Sequence, residues 1–176
     1  MVVPVAMIAL LYAGGGHPTG QPARAGPLRF GPVTPVGGAG AAIDIAPDRR
    51  AFTTTFSVLE VEAGNGQQTP AAVSRSFPLV VPLTGTPQQA ALQFQASGFV
   101  VVDQDTTATL TVSVNGHRSV KSWSAGTRDD FVQTVALPAA PGTDYRLTVA
   151  LELRQRAGKT EATGHLNVLA IDAAIV

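Results

Sequence analysis

The sequence predicts an all-β fold: an antiparallel two-sheet β-sandwich of jelly-roll or Greek-key type, with about eight or nine strands. Two observations predict it. From Arg50 onward, apolar and polar side chains alternate with the period of two that is typical of half-buried strands. Turn signals such as Asn115-Gly116 separate these runs, and no segment of the body has helical periodicity. Two packed sheets are the arrangement that buries one face of every such strand.

The first strands of the body carry two irregularities. The alternation changes parity between Ser57 and Leu59, which predicts a β-bulge or a strand that passes from one sheet to the other. The run 76–83 contains Pro78 and Pro82, which have no backbone N–H to give to a neighbouring strand. The prolines therefore predict that this run lies at the edge of a sheet.

The remaining strands follow in order. Residues 91–102 predict a long strand that is interrupted at Ser97-Gly98. Asn115-Gly116 predicts a tight hairpin between its flanking strands. The final run, 164–175, is apolar on both faces, which predicts a central or covered strand. The other predicted strands are 106–114, 117–123, 131–137 and 145–153.

The composition excludes several classes of function. Charged residues make up 14% of the chain, against about 25% in an ordinary soluble domain. Twelve basic and twelve acidic residues give zero net charge, which argues against nucleic-acid binding. The absence of cysteine excludes disulfides, thiolate zinc sites and cysteine nucleophiles. Such low charge indicates a surface rich in Thr, Ser and Gln, or one that a partner covers.

Residues 1–16 form an apolar N-terminal segment that resembles a secretory signal peptide, with Ala23-Arg24-Ala25 as its cleavage motif. No Lys or Arg precedes the apolar run, and cleavage would leave a chain that begins at Gly26. We expect the segment to be retained as an anchor. A helix over residues 2–16 would be about 22 Å long, shorter than the roughly 30 Å hydrocarbon core, so it would enter one leaflet or pack on transmembrane helices. The expected membrane or helix contacts are Val5, Ile8, Leu11 and Tyr12.

Residues 17–47 form a Gly/Pro-rich arm ahead of the sandwich domain, residues 48–176. Regular structure in the arm is expected only in short pieces at 28–30 and 41–45. The arm is either a flexible linker or an extended segment laid over a partner. We expect the second, with Leu28, Phe30 and Val33 as its anchors on the partner.

The sequence contains no recognised catalytic motif, so we expect that the chain is not an enzyme and carries no cofactor. None of the three histidines, His17, His117 and His165, lies in a nucleophile motif, and their spacing indicates no zinc or copper site. Glu60 and Glu62 share one face of a strand, where paired acids of a glycosidase were considered. A solvated strand face explains this pair better.

The sequence also contains candidate residues for calcium binding and for sugar binding. Asp103 and Asp105, and likewise Asp129 and Asp130, lie at predicted turns and are weak candidates for a calcium site. Acidic pairs in turns more commonly cap the turn. Trp123 is the single tryptophan, and it would serve either as a stacking platform for a sugar or as a core anchor.

Three classes of function are consistent with the sequence. The first is a non-catalytic structural or accessory subunit on the extracytoplasmic side of a membrane, in the periplasm or at the cell surface. It would bind membrane-protein subunits, or lipid, through the N-terminal segment and the arm. The second is a secreted carbohydrate-binding module. The third is a self-assembling surface or fibre subunit, in which an arm or strand adds to a neighbour's sheet edge.

Overall fold

The computed structural model describes residues 26–37, 40–64, 72–86, 89–156 and 162–176. Within these ranges the chain forms twelve strands and no helix. None of the described residues therefore belongs to a helix that is long and apolar enough to cross a membrane. The strands are β1 (Arg29–Phe30), β2 (Thr34–Pro35), β3 (Ala41–Ile45), β4 (Ala51–Phe56), β5 (Glu60–Ala63), β6 (Ala72–Thr84), β7 (Ala91–Val102), β8 (Thr106–Val114), β9 (His117–Trp123), β10 (Arg128–Pro138), β11 (Asp144–Gln155) and β12 (Gly164–Ile175).

The strands pair into two antiparallel sheets of six, which confirms the predicted all-β, two-sheet architecture. Sheet 1 has the order β1-β6-β11-β8-β9, and β2 also pairs with β6. Sheet 2 has the order β10-β7-β12-β4-β3, and β5 also pairs with β12. From β5 onward, successive strands lie in opposite sheets except for the hairpin β8–β9. Strands that are distant in sequence thereby become neighbours in each sheet.

The core lies between the two sheets and consists of the inward half of each alternating strand. Leu110 and Leu147 of sheet 1 and Phe94 and Ile171 of sheet 2 are fully buried. Aromatic side chains join the layers by edge-to-face contacts, as between Phe56 and Phe77, whose ring centroids are 4.7 Å apart. Burial of this apolar surface supplies the main driving force for folding.

The prediction that the prolines place β6 at a sheet edge is wrong, because β6 pairs with β11 on one side and with β1 and β2 on the other. The carbonyl of Pro82 accepts the N–H of Gly31 at 2.7 Å, and the carbonyl of Pro78 accepts the N–H of Val36 at 3.0 Å. In a strand, the N–H and C=O of one residue point the same way, so the missing proline donors also face these arm residues. The arm residues 26–37 thus cover the edge of their own sheet.

The expected anchors of the arm need correction. Leu28, Phe30 and Val33 are buried in the core of their own sandwich and do not project toward a partner. The Phe30 ring lies edge-on to Phe52 at 5.0 Å, and the Phe30 N–H donates to the carbonyl of Arg49. The arm packs on its own sandwich because the carbonyls of Pro78 and Pro82 in β6 accept its N–H groups, and because the inward face of β6 is apolar. Residues 17–25 of the arm lie outside the described residues.

The parity change near residue 58 is a break within one sheet. Both β4 and β5 pair with β12, so the chain does not pass to the other sheet at this point. The register of β12 shifts between Val168 and Ala170, and the Val168 N–H donates to the carbonyl of Leu59 at 2.9 Å. The two irregularities lie side by side, which leaves Val58 and Leu169 exposed.

The final strand, β12, is central, as predicted, but its two faces are not both apolar: the register shift between Val168 and Ala170 turns the apolar residues on both sides of it inward. It pairs with β7 on one side and with β4 and β5 on the other. β7, by contrast, runs without interruption through Ser97-Gly98, so the predicted break there is wrong. The glycine instead accommodates the bulge of β12. A Cβ at Gly98 would overlap the Asn167 carbonyl and lie 2.9 Å from the Phe131 ring.

The predicted hairpin at Asn115-Gly116 is confirmed. Asn115 has φ of 46° and Gly116 has φ of 88°, so both central residues adopt the left-handed conformation of a type I′ turn. The Asn115 Oδ1 also accepts the N–H of Arg146 at 2.8 Å, which ties the hairpin to β11.

The close approach at Gly98 predicts a large effect of a small substitution. Gly98→Ala forces the Asn167 backbone or the Phe131 ring to move, and we expect it to lower the free energy of unfolding by about 1–3 kcal/mol. Gly26→Ala is the matched control because nothing lies within 4 Å of a Cβ there. Urea unfolding of both variants measures the difference. Equal stability of the two variants would show that β12 does not bulge against Gly98.

Candidate metal centre

Two carboxylates, an imidazole and an amide meet where β5 pairs with β12. His165 lies directly opposite Glu62, and Asn167 lies directly opposite Glu60. The neighbours Val61 and Leu166 are buried in the core, so the four polar side chains point to the outer face of sheet 2. Side chains two apart in a strand share a face, which is why all four converge.

The imidazole lies between the two carboxylates. His165 Nε2 is 3.0 Å from Glu60 Oε2 and 3.9 Å from Glu62 Oε1. One ligand-type atom from each of the three residues lies within 4.8 Å of the other two. Among the described residues, no other group of three or more His, Asp or Glu side chains is brought together in this way.

Neighbouring side chains hold these groups in place. The amide Nδ2 of Asn167 donates to Glu60 Oε2 at 3.3 Å. The Phe99 ring lies edge-on to the His165 imidazole, with centroids 5.0 Å apart. Beside the imidazole, a cavity of about 180 Å³ is bordered by Thr163, Gly164 and Val101 as well as by Glu62 and His165. The cluster is therefore supported on one side and open to solvent on the other.

The surroundings of Glu60 favour its charged form. The hydrogen bond with the His165 side chain, followed by that from Asn167, holds the pKa of Glu60 below its ordinary value. Partial burial opposes this shift, and the charges of His165 and Arg75 add to it. Glu60 is consequently an ionised carboxylate at neutral pH, which can accept a hydrogen bond or bind a cation.

Asn167 contributes a second, unsatisfied oxygen to this region. Its Oδ1 is inaccessible to solvent and has no hydrogen-bond partner within the described part of the chain. Turning the amide over would place this oxygen against the Glu60 carboxylate and lose the Nδ2 hydrogen bond. A buried polar atom without a partner is uncommon in a folded protein and is normally satisfied by a bound water or ion.

The sequence pattern did not reveal this cluster. The sequence predicts a solvated strand face for Glu60 and Glu62, and the spacing of the histidines predicts no metal site. The missing information is the register between β5 and β12, which are separated by about a hundred residues. The available signal was that Glu60, Glu62 and His165 all occupy polar positions in otherwise apolar alternating strands.

In the first pair of calcium candidates, Asp103 accepts hydrogen bonds with both carboxylate oxygens, and Asp105 Oδ1 lies 3.9 Å from Arg156 Nη1. Asp103 Oδ2 accepts the backbone N–H of Thr163 at 2.6 Å and its hydroxyl at 3.0 Å. Asp103 Oδ1 accepts the N–H of Asp105 and the hydroxyl of Thr106. These bonds occupy both oxygens and hold the pKa of Asp103 below its ordinary value, the Thr163 backbone bond contributing most. Asp103 thus caps its turn and ties it to the start of β12.

The second pair lies on the edge strand β10. Asp129 accepts a hydrogen bond from the Trp123 indole at 3.4 Å and lies 3.7 Å from the Lys121 ammonium, while Asp130 is exposed. Trp123 itself is only 5% exposed and packs against Phe131, with ring centroids 4.9 Å apart. The position of the indole is that of a core anchor, and it leaves no open ring face on which a sugar could stack.

The remaining predicted contacts cannot be placed. Val5, Ile8, Leu11 and Tyr12 lie outside the described residues, as does His17. His117 is exposed at the hairpin between β8 and β9, on the sheet opposite the Glu60–His165 cluster. Comparison of the chain with known protein families, with curated proteins and with solved structures finds no match in any of the three.

The hydrogen bonds of Asp103 predict a pH-dependent contribution to stability. Asp103→Ala should lower the free energy of unfolding at neutral pH by about 1–3 kcal/mol, because Thr163 and the turn lose their acceptor. Because the pKa of Asp103 is lowered in the folded state, its carboxylate stabilises the fold at pH values above the ordinary pKa near 3.9. This contribution is lost as the pH falls through the lowered pKa. The gap between wild type and variant should therefore narrow as the pH is reduced from 7 to about 2.

Urea unfolding across this pH range measures the gap, with Asp130→Ala as the control on an exposed aspartate. A gap that stays constant down to the lowest pH would contradict the assignment of Asp103 as a charged cap.

Proposed function

We propose that the chain is a non-catalytic structural subunit that binds a protein partner in a membrane-associated assembly on the extracytoplasmic side. The sandwich would contact the partner through the outer face of sheet 2. The N-terminal segment 1–16 would attach it to the membrane or to transmembrane helices. The observation that carries this proposal is a row of exposed apolar side chains across the outer face of sheet 2.

This row is called the apolar stripe and consists of Val132, Leu169 and Val58. They are 60%, 53% and 56% exposed. Val132 of β10 pairs with Ser97 of β7, and Ser97 in turn pairs with Ala170 of β12, which follows Leu169. Val58 lies in the break between β4 and β5, next to Leu59, whose carbonyl accepts the N–H of Val168. Val132 and Leu169 thus lie at one level of the sheet on either side of β7, and Val58 lies in the break next to β12. Exposed apolar side chains grouped in this way are typical of interaction surfaces, whereas scattered single ones are not.

The composition of the outer faces supports a binding role. Between charged residues such as Asp172 of sheet 2 and Arg118 of sheet 1, they carry many short hydroxyl, amide and methyl side chains. Charge depletion is typical of the centre of a protein–protein interface. On sheet 2 these residues are Thr53, Thr55, Gln93, Gln95, Thr134 and Ala174, and on sheet 1 they are Ser74, Ser76, Thr109, Thr111, Ser113 and Thr148.

The finer type of sandwich that we propose is the jelly roll. Its support is the strand order: β4 and β5, β12, β7 and β10 alternate along the chain with β6, β11, β8 and β9 of the opposite sheet. A jelly roll consists of eight strands in two Greek keys and has this alternation. In such a fold the outer sheet faces and the end loops are free for binding, while the interior is filled by side chains.

The two other functions have less support. A sugar-binding module would need a platform other than Trp123, whose ring is buried. A self-assembling subunit would use a free sheet edge, and the eleven-residue strand β10 is an edge of sheet 2. Arg128, Asp129 and Asp130 at its start are charged, which is one way in which proteins protect an edge from pairing. The arm residues that would be donated to a neighbour pair with their own β6.

Charge substitutions in the apolar stripe test the proposal. Leu169→Glu and Val132→Glu should remove the full-length chain from a large complex in gently solubilised membranes, because each places a carboxylate in an apolar contact. Val120→Glu is the matched control: Val120 is 48% exposed and lies in β9 of the opposite sheet. Native electrophoresis with intact-mass determination of the chain measures both association and the N-terminus.

If all three variants remain in the complex, binding through the apolar stripe is contradicted. A wild-type chain that begins at Gly26 and migrates as a soluble monomer would contradict the membrane-associated subunit as a whole. Concentration-dependent polymers of the purified chain would instead support self-assembly.

A further inference from the structure

We propose that Glu60, Glu62 and His165 bind a divalent transition-metal ion, Zn²⁺, on the outer face of sheet 2. This site goes beyond the proposed structural role and does not depend on it. The ion would link β5 to β12 next to the break in β4–β5. The arrangement of the side chains supports this site.

The distances between the ligand atoms fit one small ion. Zinc bonds to nitrogen and oxygen are about 2.1 Å long, and two ligands at a tetrahedral angle are then about 3.4 Å apart. His165 Nε2 lies 3.0 Å from Glu60 Oε2 and 3.9 Å from Glu62 Oε1. Both separations differ from that value by about 0.5 Å or less. The third separation, between the Glu60 and Glu62 carboxylates, is within 4.8 Å, so side-chain rotations have to draw these two groups together around an ion.

The charge balance also favours a cation. Glu60 and Glu62 place two carboxylates on one strand face, and a single imidazole lies between them. The Arg75 guanidinium adds a positive charge at longer range, where its Nη1 donates to the carbonyl of Val58 at 3.3 Å. An ion pair of His165 with Glu60 alone would leave Glu62 uncompensated. A divalent ion neutralises both carboxylates and leaves the imidazole neutral.

The surroundings already provide the support that metal ligands require. The Asn167 Nδ2 hydrogen bond fixes the Glu60 carboxylate, and the Phe99 ring limits rotation of the imidazole. Such outer contacts orient ligands and raise affinity. The Asn167 Oδ1 is buried and has no hydrogen-bond partner among the described residues, so no second bond of this amide draws its Nδ2 away from Glu60.

The ligand types select the class of metal. Calcium and magnesium prefer oxygen ligands only, whereas imidazole with carboxylates suits zinc and its neighbours in the first transition series. Three protein ligands leave a coordination position free, and the cavity of about 180 Å³ beside Glu62 and His165 has room for water there.

Zinc titration of the full chain by isothermal calorimetry tests the site. One equivalent should bind, and the melting temperature should rise with zinc concentration because the ion binds only the folded register. Glu62→Gln and His165→Gln should each weaken binding by at least about tenfold, and Asn167→Ala by about tenfold. His117→Gln and His17→Gln, which alter the two other histidines, should bind as wild type does.

Each variant is first compared with wild type in metal-free buffer by circular dichroism. If His165→Gln fails to fold, the more exposed Glu62→Gln decides. Three results would overturn the proposal: no saturable zinc binding by the wild-type chain, binding that survives both ligand substitutions, or binding that His17→Gln or His117→Gln abolishes. Calcium binding in place of zinc at the same residues would also overturn it.

Discussion

The structure depends on the central strand β12 and on the bulge within it. β12 is the only strand of sheet 2 in the described chain that pairs with three others, β7 on one side and β4 and β5 on the other. Its inward residues Leu166, Val168, Ile171 and Ala173 are buried, and the register shifts between Val168 and Ala170. This shift lets the inward pattern continue on both sides of Leu169. Without it, one half of the strand would turn its apolar side chains to solvent.

The neighbouring strands are adapted to this bulge. On one side, Gly98 leaves space for the Asn167 carbonyl, so β7 remains continuous. On the other side, the chain breaks between β4 and β5, and Leu59 accepts the hydrogen bond of Val168. The exposed apolar stripe and the Glu60–His165 cluster both follow from the same irregularity. The bulge exposes Leu169, and the register beyond it places His165 opposite Glu62.

Local patterns in the sequence were sufficient for most elements of the fold. The Asn115-Gly116 turn and the alternation of the long strands each have a cause within a few residues. Pro78 and Pro82, by contrast, predict a sheet edge at β6, where β1 and β2 in fact pair. No local pattern determines where the arm packs. Leu28 and Phe30 are apolar in a Gly/Pro-rich context, and only the tertiary structure shows that they fill their own core. The break predicted at Gly98 was wrong because the close approach comes from a distant strand.

The candidate site was hidden for the same reason. Glu60 and Glu62 are adjacent in a strand, but His165 joins them only through the pairing of β5 with β12, whose register no local pattern determines. The Asp103 turn was different, since an aspartate at a strand end already indicates a cap. Local sequence patterns therefore predict side chains that bond to residues near them in the chain. They do not predict sites whose residues meet only through the register of distant strands.

The most direct test of this account is the register of β5 against β12 in solution, measured by cross-strand nuclear Overhauser effects in the labelled full chain. The account predicts backbone contacts that pair His165 with Glu62 and Asn167 with Glu60. A register displaced by one residue, with His165 opposite Val61 or Ala63, would contradict it. The imidazole and the carboxylates would then lie on opposite faces of the sheet.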